Sequence, residues 1–196
     1  MNTLLRELRA SIMAIVCLAL VVCGIYPIVV WAISQAAFPY KANGSIVEID
    51  GKSLGSALIG QPFQGPEYFH PRPSAAGEGY DAANSGGSNL GPISKKLIAE
   101  VAARIDHYRE VNGIGTDVPI PADAVTTSGS GLDPHISLEN ALLQAPRVAR
   151  ARNMSFEDVK RKMETFTQDR QFGILGEPRV NVFLLNLALD GQISKP

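Results

Sequence analysis

Hydrophobic and polar positions follow two regimes along this chain. From Ala10 to Tyr40 no residue carries a charge, a run of 31 positions whose apolar centre is Ile12 to Ile33. A bilayer core needs about 20 apolar residues in a helix, so the run is long enough to span one. Trp31 and Tyr40 lie toward its far end, where aromatic rings favour the headgroup level. Pro27 is tolerable there, because neighbouring groups can satisfy the carbonyl it frees. Small residues at Ser34 to Ala37 offer a signal-peptide cut as the rival reading. A signal h-region is only about 7–15 residues, however, and this run is longer. The pattern therefore predicts a retained transmembrane helix over 11–34, with an N-terminal stub 1–10 and an extramembrane domain 41–196. Arg6, Arg9 and the terminal amine outweigh the lone Lys41 on the other flank. The positive-inside rule then expects a cytoplasmic N-terminus and a periplasmic, or at least extracytoplasmic, domain.

Beyond the span the pattern alternates between short periods. Ile46-Val47-Glu48-Ile49 runs into Asp50-Gly51, a two-residue hairpin signal, with Leu54 to Ile59 as the returning strand. Leu97, Val101, Ile105 and Tyr108 recur at helical spacing up to a stop at Asn112-Gly113. A second helix is expected after the N-cap Ser137, broken or kinked by Pro146. A third begins at the cap Ser155, with Asp158 at its third position and Met154 and Val159 as a hydrophobic staple, and is expected to reach about Gln168. Arg179 to Asp190 fits a helix bounded by Pro178 and Gly191, with a buried strand pair as the alternative. The fold class is therefore α+β: one transmembrane helix, then a small mixed domain.

Between these elements, Gly60 to Pro92 is a long Gly/Pro-rich loop with Phe63, Tyr68, Phe69 and Tyr80 interleaved. Aromatic side chains offer area to bury, so the loop reads as ordered, docked on a partner or on its own domain.

Composition sharpens this division. The 196 residues carry 18 basic and 19 acidic groups, a formal charge of −1, and charged residues make up 19%. Residues 1–41 hold three basic groups against one acidic group, leaving the remainder at −3. No basic footprint for nucleic acid is present. Both cysteines, Cys17 and Cys23, lie inside the span, so the domain has no disulfide.

Catalytic signals are weak. Gly51-Lys52-Ser53 resembles the end of a phosphate loop, but Ile46 stands where the first glycine is required. His70, His107 and His135 share no metal-ligand spacing on one helix; His70 reads as a hydrogen-bonded loop residue and His107 as a surface residue. Thr126 to His135 holds Ser128, Ser130, Asp133 and His135 close together. A hydrolase of the G-x-S-x-G type would need glycines two positions before and two positions after the serine, which neither serine has. A tight glycine turn leading into a helix explains the same residues. Arg147, Arg150, Arg152, Lys160, Arg161 and Lys162 form a basic region, read either as an anionic contact or as solvated helix faces. A membrane-anchored serine hydrolase using Ser128 or Ser130 with His135, and a binding module using Phe63 to Tyr80, are the two readings that the residues alone support.

An ordered set of segments adds a third. Gly55-Ser56-Ala57-Leu58-Ile59-Gly60-Gln61, Tyr68-Phe69-His70-Pro71-Arg72-Pro73-Ser74, Ser85-Gly86-Gly87-Ser88-Asn89-Leu90-Gly91-Pro92, Gly131-Leu132-Asp133-Pro134-His135-Ile136, Gln144-Ala145-Pro146-Arg147-Val148 and Asn186-Leu187-Ala188-Leu189-Asp190 stand in this order. Together with the single span, the set resembles the C subunit of the Kdp potassium-transporting P-type ATPase. The resemblance implies a non-catalytic accessory subunit. Its partners would be a potassium-conducting subunit, a P-type ATPase subunit and membrane lipid, with no nucleic acid. Potassium would be the ion that the complex transports. The family is described as raising the catalytic subunit's affinity for ATP, and the resemblance marks Gln144, then Ser85, Gly86 and Gly87, as nucleotide-binding candidates. Phe69, His70, Arg72 and Arg147 stand in the same motifs as partner-docking candidates. The chain has no Walker A loop and no Asp-Lys-Thr-Gly segment, so no catalytic residue of its own and no bound metal are expected. A domain outside the cytoplasm and a direct contact of Gln144 with cytoplasmic ATP exclude one another.

Overall fold

The computed structural model describes residues 2–194. The chain divides into two compact units, one ending at Ile46 and the other starting at Val47. The first is a helix in three parts: α1 (Asn2–Ala19), a π-helical turn (Leu20–Ile25) and α2 (Tyr26–Ala37), followed by the short α3 (Pro39–Ala42). Thr3–Ala37 has a mean hydropathy of 2.8 and is long and apolar enough to cross a membrane. The π turn has a local cause. Pro27 has no N–H, and in an α-helix its ring would press on the carbonyl four residues back, at Cys23. The preceding turn widens instead, so the N–H of Tyr26 reaches the carbonyl of Val21, five residues back.

In the second unit, β1 (Ile46–Ile49) and β2 (Lys52–Ser56) form the expected hairpin. Asp50 and Gly51 both take positive φ, at 50° and 73°, the geometry of a type I′ turn. The return strand starts and ends earlier than Leu54 to Ile59, and Ala57 turns inward to the core.

The helical readings meet three corrections. The first helix, α4 (Lys95–Asn112), stops as expected, with Gly113 left-handed and the N–H of Ile114 bonded back to the carbonyl of Arg109. Two short elements follow, α5 (Ala122–Val125) and β3 (His135–Ser137). The next helix, α6 (Leu138–Ala151), starts on the Ser137 cap but runs through Pro146 without a break. Pro146 lies on its exposed side, where water can serve the carbonyl that loses its partner. The third, α7 (Phe156–Thr165), starts on the Ser155 cap but ends before Gln168, because Thr167 and Gln168 form β4. The final segment is both strand and helix. Arg179–Asn181 is β5, the centre of a three-stranded antiparallel sheet ordered β3-β5-β4, and Val182–Leu189 is α8. Asn181 makes the switch: its Oδ1 accepts from the N–H of Leu184 at 3.0 Å, while its Nδ2 donates to the Ala57 carbonyl at 2.8 Å.

All eight residues of α8 are buried. A helix buried on every side belongs in a core, and α8 shares one buried cluster with residues of α6, α7 and the sheet. Its C-terminus closes with Gly191 left-handed and the N–H of Gln192 on the carbonyl of Leu187. Lys162 of α7 donates to the carbonyl of Ala188 at 2.7 Å, placing a cation at the negative end of the helix.

Leu185 is fully buried at the middle of α8. Leu185→Ala removes its packing and leaves a cavity, so we expect a loss of about 2–5 kcal/mol in denaturant unfolding of the detergent-solubilised chain. A loss under about 1 kcal/mol would remove α8 from the role of core helix.

Candidate functional site

The long loop from Gly60 to Pro92 contains one 3-10 turn, Ala82–Asn84, and no helix or strand, yet Phe69 and Ala76 within it are fully buried. A buried main chain must have its N–H and C=O groups paired, and two amide side chains from the core helices do this. Asn186 of α8 accepts from the N–H of Phe69 and donates to its carbonyl, both at 2.9 Å. Gln144 of α6 accepts from the N–H of His70 at 2.7 Å and donates to its carbonyl at 3.0 Å. Each amide thus takes the place of a neighbouring strand. The Phe69 ring, drawn inward, is fully buried.

Arg147 reinforces this clasp. One terminal nitrogen donates to the carbonyls of Pro66 at 2.6 Å and Tyr68 at 2.9 Å. The other donates to Gln144 Oε1 at 2.9 Å, and Nε donates to Asn112 Oδ1 at 2.9 Å. Burial lowers the Arg147 pKa to about 10, so the guanidinium remains charged at neutral pH. Just beyond α6, at its C-cap, Arg152 donates to the Glu67 carbonyl at 2.6 Å, pairs with Asp190 at 2.7 Å and lies over the Tyr68 ring at 5.1 Å. Two members of the basic region therefore point inward, at loop carbonyls. Arg161, by contrast, is an exposed residue paired with Asp158.

Gln144 is almost fully buried and uses its whole hydrogen-bonding capacity. Its oxygen holds the His70 N–H and Arg147, and its nitrogen holds the His70 carbonyl and, at 2.8 Å, Asn140 Oδ1. Asn140 in turn accepts from the Tyr108 hydroxyl at 2.8 Å and donates to Asp123, which also holds the N–H and hydroxyl of Ser137. Beside Gln144 lies a cavity of about 340 Å³, lined by His70, Pro71, Pro73, Arg104, His107 and Tyr108 among others. His107 is exposed at its edge, as its sequence position suggested.

The other nucleotide candidates lie elsewhere. Ser85 Oγ and the N–H of Gly86 both donate to the carbonyl of Ser130 at 2.9 Å. Gly87 packs on the same turn, where a Cβ would stand 3.2 Å from the Gly129 carbonyl. Among the described residues, Gln144 and Ser85 to Gly87 share neither a cavity lining nor a hydrogen-bond partner. Of the four docking candidates, Phe69 and Arg147 are buried and His70 and Arg72 half-buried. Arg72 pairs with Asp133 at 3.1 Å and donates to the Thr127 carbonyl at 3.3 Å. The Ser74 hydroxyl donates to the Gly131 carbonyl at 2.6 Å, and the Tyr80 hydroxyl closes on the Arg72 carbonyl. The long loop and the glycine turn thus hold each other.

The hydrolase arrangement is half present. His135 Nδ1 is 3.2 Å from Asp133 Oδ1. Burial raises the pKa of Asp133, but the His135 hydrogen bonds and the Arg72 charge outweigh it and hold the carboxyl below 3.8. Ser128 Oγ, however, makes no hydrogen bond to His135, and Ser130 Oγ accepts instead from the N–H of Leu132. A nucleophile out of contact with its base is not an activated serine.

The functional residue that sequence reasoning passed over is Asn186. Its signal was present: an asparagine inside an otherwise apolar, wholly buried helix must find partners.

Two outcomes test the clasp. Asn186→Ala strands the Phe69 N–H and C=O, so we expect a loss of about 2–4 kcal/mol in denaturant unfolding and faster proteolysis within residues 62–74; protection as in the parent chain would show that the loop is held otherwise. The second outcome concerns pH. Burial, then the nearby Arg147 charge, lowers the His70 pKa below 6.5, and the neutral ring donates from Nε2 to the Gly65 carbonyl at 3.0 Å. The unfolded chain takes up this proton near pH 6.5 and the folded chain only at lower pH. The associated stability is therefore complete above 6.5 and is lost as pH falls below it. Denaturation midpoints should drop between about pH 7.5 and 5.5, and less so in His70→Gln; equal drops would clear His70.

The comparisons with known proteins agree on one family. The family model described as "K+-transporting ATPase, c chain" matches residues 8–191. A protein of Mycobacterium tuberculosis named "Potassium-transporting ATPase KdpC subunit" is 52% identical over 185 residues, covering 94% of this chain and 98% of the relative. Proteins of the same name from Rhodospirillum rubrum and Koribacter versatilis are 52% and 47% identical, covering 95% and 97% of this chain and 96% and 97% of the relatives. With the family model and these relatives all running through the span, the clasped loop and α8, the chain belongs to the KdpC family of potassium-transporting ATPase subunits.

Proposed function

We propose that this chain is a non-catalytic, single-span subunit of an ATP-driven potassium-uptake complex. In this reading it binds a potassium-conducting subunit and a P-type ATPase subunit, holds the assembly together and raises the catalytic subunit's affinity for ATP. Residues 1–10 lie in the cytoplasm, 11–34 cross the membrane and 41–196 lie outside. The observation that carries the reading is the near-full-length likeness to KdpC subunits. The apolar helix Thr3–Ala37 supports the anchoring.

The route to ATP is indirect in this proposal. Every hydrogen-bonding position of Gln144 is filled inside the domain. Gln144 therefore acts by fixing the loop that carries Phe69 and His70, and a correctly set loop is what the rest of the complex responds to. Placement outside the cytoplasm and an effect of Gln144 on ATP affinity are then compatible.

Three measurements test this. Mild-detergent purification through a tag on this chain should bring two larger membrane subunits with it; potassium uptake that is intact without the chain would sink the reading. In the purified complex, Gln144→Ala and Asn186→Ala should both raise the KM for ATP several-fold with little change in kcat. An effect of Gln144→Ala alone would point to direct nucleotide contact. For topology, Ile93 is among the most exposed apolar residues of the domain. A cysteine placed there, in a chain lacking Cys17 and Cys23, should react with an impermeant reagent from outside the cell.

A further inference from the structure

Within the apolar anchor, one main-chain carbonyl has no donor left along the helix. The π turn gives the N–H of Tyr26 to the carbonyl of Val21. In a regular α-helix that N–H would serve Val22, four residues back. The turn covers Leu20–Ile25, and its reach of five residues commits the N–H of Ile25 to Leu20. A bond of the same reach to Val22 would have to come from Pro27, which has no N–H. The next N–H, at Ile28, is six positions from Val22, past the reach of a π turn. Side chains do not replace these donors. Among the described residues, the side-chain hydrogen bonds of the anchor lie outside Ile12 to Ile33, at Ser11 and from Gln35 onward.

Its depth makes this costly. Val22 stands ten positions after Ile12 and eleven before Ile33. At about 1.5 Å per residue, either end of the apolar centre is roughly 15 Å away, which puts the carbonyl near the midplane of a hydrocarbon core about 30 Å thick. No water is available there, so an unpaired carbonyl calls for a donor from another spanning element. A second polar group stands one turn on, on the same side of the helix. Tyr26 is 65% exposed and Val22 57%, so both are open to a neighbour. Helical side chains lean toward the N-terminus, which carries the Tyr26 ring toward the midplane and away from the nearer surface at Ile33. Its hydroxyl is thus a donor in hydrocarbon, with no bond of its own among the described residues.

We propose that a transmembrane helix of a neighbouring subunit packs against this side of the π turn, with a polar side chain donating to the Val22 carbonyl and an acceptor taking the Tyr26 hydroxyl. The proposal rests on the reading of the chain as a single-span subunit of the complex. In hydrocarbon the neighbours able to offer a proton are other spanning helices, because irregular chain does not enter lipid. Pro27 then does more than bend the anchor: it keeps one acceptor open at mid-depth, which only a polar neighbour at the same depth can fill.

Two readouts test this. Cysteine occurs only at Cys17 and Cys23, each preceded by a valine, so a chain with carbon-13 at valine carbonyls and nitrogen-15 at cysteine gives two joint resonances, Val16–Cys17 and Val22–Cys23. A carbonyl that accepts a hydrogen bond moves downfield. Pro27→Ala restores an N–H to the turn, so in the isolated chain in bilayers it should move Val22 downfield and mark the bonded position. The parent Val22 should lie upfield of that mark in the isolated chain and shift downfield in the full complex, while Val16, inside α1, stays as reference. Separately, Tyr26→Phe removes only the hydroxyl. The complex should then lose this subunit three- to tenfold more readily on dilution in detergent, roughly the worth of one hydrogen bond between membrane helices. A parent Val22 already at the bonded position in the isolated chain, where water, lipid or a second copy would be its donor, would overturn the proposal. So would a Val22 signal that does not move in the complex, or parent-like retention of Tyr26→Phe. Failure of the parent chain to retain any partner would instead sink the complex-subunit reading, and this one with it.

Discussion

The domain depends on main-chain groups that have no secondary structure to satisfy them. A loop normally stays at the surface, because its N–H and C=O groups need water. Here the stretch around Phe69 is buried against α6 and α8, which is possible only because Asn186 and Gln144 each present a donor and an acceptor in the spacing of a peptide edge. The partners are 117 and 74 positions apart, so the pairing closes the fold from end to end. Arg147 then fills the remaining loop carbonyls, and its charge is tolerable in the interior because every nitrogen donates.

Much else becomes simple once the loop is fixed. The loop delivers Arg72, Ser74 and Ser85 to the glycine turn, and the turn returns carbonyls from Thr127, Gly131 and Ser130. The residues that resembled a hydrolase are part of this seam. Asp133 serves Arg72 and His135 together, which explains a Ser-Asp-His cluster without a bonded serine.

What could be read from the sequence was local. The uncharged run, the Asp50-Gly51 turn, the Ser137 and Ser155 caps and the glycine stops at Gly113 and Gly191 are short-range signals, and each element appears where its signal lies. Strands of two or three residues, such as Thr167–Gln168 and Arg179–Asn181, are too short to show a period of two, so they were absorbed into neighbouring helices. Whether Pro146 breaks α6 depends on which side of the helix faces water, a tertiary property. The site was hardest. Gln144 was singled out by resemblance alone, and nothing local revealed that its partner is His70. Asn186 sat in a quoted motif without a role, although its polarity in a buried helix was the clue.

The π turn ahead of Pro27 has a consequence for the anchor itself. A π turn inserts one residue into the α-helical count, which rotates everything beyond it by about 100°. A stripe of side chains followed down α1 therefore does not continue along the same side of α2. The membrane helix carries two half-length faces pointing in different directions. A straight helix can match one of them along its length but not both.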